Sequence, residues 1–223
     1  MALNKLKFNS INVTPSANKA LKFNSSADGF ETGSAGGATT FIKKLTASSS
    51  GDLSFVDGSS DVVLDNTYKE YIFIFKDIHP QTDNVKFQFQ GNTSGGSGYN
   101  ETLITTTFGS GNHESNGFTI FGYEDSADQA NGTSFQNLTA NSSLGNDNDQ
   151  NLSGFLRLFN PSSTTFVKHF ISNYTHHYTN AAPGSINHYI AGYCNVTAAI
   201  DAVQFKMNSG NIDAGVIQLF GIT

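Results

Sequence analysis

Tryptophan is absent from this chain, cysteine occurs once and proline only four times. A lone cysteine, Cys194, excludes an intrachain disulfide. It lies within an apolar strand-like run, which marks it as a small buried hydrophobe rather than a nucleophile. Charge is scarce too: Asp, Glu, Lys and Arg make up 13% of the 223 residues, and the 12 basic ones are scattered, for a net charge of −6. Without a basic face to neutralise phosphates, no nucleic-acid partner is expected. No apolar run nears the length that spans a bilayer, so membrane insertion is not expected either. The opening, MALNKLKFNSINV, has neither a continuous apolar stretch nor a cleavage signature, and no secretion signal is read there. The G-x-S-x-G nucleophile elbow and the phosphate-cradling P-loop pattern are both missing.

What is present is 19 Phe, eight Tyr and 22 Gly, with a polar complement built from Asn, Ser and Thr. Many aromatics, many turn residues and few Leu/Ala/Glu/Lys runs predict strands joined by turns. The fold class expected is all-β, an antiparallel two-sheet sandwich of jelly-roll-like form preceded by an extended N-terminal arm. Strands are predicted at 53–56, 68–78, 85–90, 103–108, 117–123, 154–159, 165–174, 189–196, 199–207 and 215–222. Within YKEYIFIFKDI, Tyr71, Phe73 and Phe75 share one face and Ile72 and Ile74 the other. This strand is therefore read as covered on both faces, central or at a subunit contact. Residues 91–100 and 110–116 read as glycine-asparagine loops, and 124–151 as a long polar loop with Phe135, Leu138 and Leu144 as pins.

The first 32 residues hold apolar clusters too sparse to bury a core. LKFNS occurs twice there, at 6–10 and 21–25. The expected organisation is an anchoring arm over 1–32, a Gly/Ser hinge over 33–39 and a sandwich domain over 40–223. An arm gains stability only by burying its apolar side chains elsewhere, which makes Leu6, Phe8, Leu21, Phe23 and Phe30 the candidate anchoring residues.

No catalytic residue, metal ligand or cofactor is assigned. Glu124, Asp125 and Asp128 cluster at the start of the long loop, where ordinary solvation accounts for them. His176 and His177 are neighbours on a strand and point to opposite faces, so they do not share one metal; His188 returns near one of them across a hairpin. Asn146-Asp147-Asn148-Asp149 offers oxygen ligands but lacks the glycine and distal glutamate of an EF-hand loop. The candidate ligand-facing loop residues are Tyr99, Tyr123, Asp125, Asp147 and Asp149, an aromatic and carboxylate set suited to a sugar.

The segment ALKFNSSADGFETG, residues 20–33, resembles the "x-LKVNSxADGFEFG" segment of tail-fibre and other virion structural proteins of tailed bacteriophages, with Thr32 in place of the common aromatic. The run from Phe41 to Gln90 resembles a β-sandwich domain of marine phage structural proteins. AAIDAVQFKMNSGNIDAGVIQLFGIT resembles that domain's closing strand, "SGNI-x-x-G" turn and final "I-x-L-x-GI" strand. The resemblance implies a non-enzymatic virion protein assembled in the host cytoplasm: an oligomeric appendage, most simply a homotrimer, docked through its arm to tail or capsid proteins. A capsid decoration protein is the alternative it leaves open, and a host-receptor or glycan-binding module a further one. A cysteine-poor chain without a leader suits a particle built in a reducing cytoplasm and freed by lysis.

Overall fold

The computed structural model describes residues 13–14, 19–33, 38–117, 119–178 and 184–223. The chain is all-β and divides into two compact units, Met1–Ala38 and Thr39–Thr223.

In the first unit, β1 (Ala20–Phe23) and β2 (Phe30–Gly33) form an antiparallel hairpin with Leu21 opposite Thr32 and Phe23 opposite Phe30. The sequence of the turn dictates this. Asn24 Oδ1 accepts the Asp28 and Gly29 N–H groups at 3.2 and 3.3 Å, and its Nδ2 donates to Asp28 Oδ1 at 2.9 Å. The main chain closes with Asn24 N–H to Gly29 O at 3.0 Å. One short amide side chain thus satisfies the loop backbone from within, the ordinary use of Asn in a turn. The second LKFNS is therefore a strand plus the start of a turn, folded back on FETG instead of continuing as an extended piece. The first copy, with Leu6 and Phe8, lies outside the described residues.

The second unit contains β3 (Thr39–Thr46), β4 (Leu53–Val56), β5 (Glu70–Pro80), β6 (Phe87–Asn92), β7 (Leu103–His113), β8 (Thr119–Tyr123), β9 (Ala130–Gly132) and β10 (Gln136–Asn137). It continues with β11 (Leu152–Phe159), β12 (Lys168–Tyr178), β13 (Gly184–Cys194), β14 (Ala202–Met207) and β15 (Ile212–Ile222). A nine-stranded sheet has the order β3-β15-β5-β11-β12-β13-β7-β8, with β9 also on β7; a four-stranded sheet has the order β10-β6-β14-β4. All pairings are antiparallel.

Aromatic side chains join the two sheets into a sandwich. Phe205 on β14 lies 5.3 Å from Phe73 and 5.2 Å from Phe75 of β5, and Phe89 on β6 meets Phe170 of β12 edge-to-face at 4.8 Å. Tyr71, Phe73 and Phe75 are buried in this core. Ile72 and Ile74 point from the outer face of the large sheet, half-buried, with Phe220 and Phe155 beside them in register. The second sheet therefore covers one face of β5, not both.

Three regions differ from the sequence reading. Residues 110–113 continue β7 and are not a loop. Their glycine neighbourhood serves close packing: a Cβ on Gly109 would sit 2.5 Å from His188 Cδ2, and one on Gly111 2.4 Å from Ile186 Cδ1. Strand β3 occupies 39–46, at the start of the sandwich domain, where no strand is predicted. The polar stretch 124–151 is bound to the body of the sandwich, with Leu138 and Leu144 fully buried and Phe135 half-buried. Buried Gln136 accepts from Thr105 Oγ1 at 3.0 Å and donates to Ala127 O at 3.0 Å, so the stretch is a fixed part of the wall.

Candidate functional site

The hairpin carries an apolar face. Leu21, Phe23 and Phe30 are 41%, 65% and 45% exposed, and the Phe23 and Phe30 rings stack at 4.9 Å. On the opposite face Lys22 Nζ pairs with Glu31 Oε1 at 3.1 Å, an exposed pair that contributes little. A lone two-stranded hairpin is marginally stable in water. Three exposed apolar side chains on such a hairpin are therefore a surface in want of a cover. Three of the five anchoring candidates are thus brought onto one small element.

A second exposed aromatic group lies on the outer face of the large sheet at its β8 end. Phe121 and Tyr123 are 82% and 63% exposed. Phe108, opposite Tyr123 in register, stacks on Tyr189 at 4.9 Å and 8° and meets Phe121 edge-to-face at 6.5 Å. The Tyr123 hydroxyl donates to Asp128 Oδ2.

The five ligand-loop candidates do not form one site. Tyr123 and Asp125 are close in the chain and exposed, and Tyr123 lines a cleft with Phe121, Glu124, Asn141 and Ser142. Tyr99 is half-buried and packs on Phe135 at 6.4 Å, with Lys206 Nζ 4.2 Å above that same ring. Asp147 is fixed in its own loop, its main-chain oxygen meeting His79 Nε2 at 3.1 Å and its Oδ2 accepting from Gln150 at 3.5 Å. Asp149 is exposed beside it, and the neighbouring Asn148 lines a separate depression with Asp77, His79 and Asp213.

Sequence reasoning missed the polar centre beneath β7. His188, fully buried, meets Glu124 Oε1 at 2.7 Å through Nε2. Glu124 Oε2 accepts the Asn141 N–H at 3.2 Å. Glu124 is thus not a solvated loop carboxylate but the tie between the β8 exit, β13 and the 141 turn. Burial pushes its carboxyl up, yet the His188 hydrogen bond and charge, the Asn141 N–H and Lys86 bring it below its ordinary value. His176 also faces inward, with its ring 5.7 Å from His188 and within 13° of parallel. Burial, then the charges of His188 and His177, lower the His176 pKa to about 3, so the ring is neutral throughout the physiological range. His177 faces outward and pairs with Glu114 at 3.4 Å. Among the described residues no three His, Cys, Asp or Glu side chains are arranged to hold a metal ion. No described helix is long and apolar enough to cross a membrane. Cys194 is buried, and burial pushes its thiol up to about 12, which leaves it unreactive at neutral pH.

No protein-family model matches the chain, and no curated protein or solved structure matches it.

Proposed function

We propose that this chain is a non-enzymatic structural protein of a bacteriophage virion, an oligomeric appendage such as a short fibre or spike, docked through its N-terminal segment. The observation that carries the reading is the hairpin at 20–33. It is a compact turn cassette with Leu21, Phe23 and Phe30 exposed together, in a unit divided from the sandwich. A segment of this kind stabilises itself by laying its apolar face on another protein. It is also the stretch with the sharpest resemblance to phage virion proteins. The sandwich fits the outward-facing part, since its long polar stretch is tied to the wall and its aromatic group at β8 faces solvent.

The test is mass spectrometry of particles purified from the infection that expresses the gene, with copies counted against an added labelled standard. A few to a few dozen copies per particle are expected. Hundreds of copies would assign the chain to capsid decoration, laid across the shell by the same hairpin. Particles without the protein overturn the reading.

A further inference from the structure

The geometry points to a head-to-tail contact between copies of this chain, in which the β8 end of the large sheet in one copy meets the β3 end of the same sheet in the next. The inference rests on the reading of the chain as an assembling structural protein and names the surfaces that assemble.

The two ends are the sheet's open edges: among the described residues β8 pairs with β7 alone and β3 with β15 alone. Natural sheets blunt an open edge with charge, proline or a bulge, because its unpaired N–H and C=O groups invite another strand. Strand β8, TIFGY, has neither charge nor proline, and all five of its residues are exposed. Alongside it stand the outward rings of Phe121, Tyr123, Phe108 and Tyr189. Aromatic side chains of this kind dominate the energetics of protein contacts, because each buries a large rigid surface at small entropic cost. The β3 end offers a matching group: Phe41 is about half exposed and meets Phe220 edge-to-face at 5.6 Å.

Charge decides which ends meet. The chain leaves β8 through Glu124, Asp125 and Asp128, with Asp125 exposed. Strand β3 carries Lys43 and Lys44, and among the described residues neither lysine enters an ion pair. A β8-to-β8 contact would set acidic flank against acidic flank, and a β3-to-β3 contact lysine against lysine. Like charges across a strand pair are destabilising. The head-to-tail contact alone pairs opposite signs, and it sets Phe121 and Tyr123 near Phe41 and Phe220. A contact of this type is heterologous and closes into a ring where the rotation between copies permits.

The test is the light-scattering mass of the full chain and of charge-swapped variants, with circular dichroism confirming the fold. Wild type is expected to be a stable oligomer. Phe121→Ser, Lys44→Glu and Asp125→Lys should each lower the mass towards the monomer with an unchanged spectrum, because all three side chains are exposed. Lys44→Glu combined with Asp125→Lys should restore the oligomer. A monomeric wild type at every concentration overturns the contact. So does a Lys44→Glu or Phe121→Ser chain that keeps the wild-type mass, which would assign assembly to another surface and leave the structural reading intact. A monomeric wild type that binds host saccharide and loses it on Phe121→Ser would give the patch to a glycan, again against the contact. Absence of the protein from particles is the separate outcome that removes the structural reading.

Discussion

The imidazole rings of His176 and His188 lie stacked 5.7 Å apart, 13° from parallel, both closed off from solvent inside the sandwich. Among the described residues His188 has a carboxylate against it, Glu124 at 2.7 Å, and His176 has none. His176, the ring without that partner, gives the fold a sensitivity to acid.

The unfolded chain binds a proton at His176 near the ordinary histidine value of 6.5, whereas the folded chain does so only near 3. The unfolded state therefore holds more protons between those values, and stability falls as pH drops through that window, by up to about 1.4 kcal/mol per pH unit from this one group. His176→Phe keeps the ring and removes the proton site. Its denaturant midpoint should fall less than that of wild type between pH 7 and pH 5. Equal losses in both proteins would refute the assignment.

Phe205 touches the rings of Phe55, Phe73, Phe75, Phe87 and Phe89, at 5.2 to 6.4 Å between centroids. It is the hub through which the four-stranded sheet grips the large one. Phe205→Ala should cost about 3–5 kcal/mol, read from urea unfolding. Truncating Phe121, exposed on the outer face, should change the unfolding free energy by less than about 0.5 kcal/mol.

Gly109→Ala places a methyl against the His188 ring, which the Glu124 hydrogen bond and its own burial keep from moving. The expected loss is about 1–3 kcal/mol, in the range of overpacked cores. Gly122→Ala on the adjacent strand meets open space and should be close to neutral. Thermal melts of the two variants side by side decide the point.

Asn24→Ala removes the side chain that closes the hairpin turn. Amide exchange in residues 20–33 should accelerate, while the melting of the sandwich stays where it was. A joint loss in both units would mean that they fold as one.

How much of this was written in the sequence depends on the range of the interaction. Alternation in YIFIF and VKFQFQ made the class, most strands and the inward set Tyr71, Phe73 and Phe75 legible, because a period of two needs no distant partner. Strand β3 escaped because Lys43-Lys44 breaks its alternation, and its partner among the described residues is β15, more than 160 residues onward. The glycines at 109 and 111 read as turn residues because their reason, room for His188 and Ile186, lies on another strand. Glu124 read as a solvated acid for the same cause: its partner is 64 residues away. Tyr99 and Tyr123 look alike in sequence, yet one is packed on Phe135 and the other faces solvent. Only the fold separates them.

The position of β15 has a consequence for synthesis. It fills the slot between β3 and β5, yet the ribosome makes it after every other described strand. Until Ile212–Ile222 emerges, β3 has no neighbour and β5 lacks one of its two. The apolar run at 71–75 then waits with an open flank, the condition under which nascent β proteins aggregate or recruit chaperones. A product truncated before residue 212 would leave β3 split from the rest of the sheet and the buried aromatic run of β5 with one flank open.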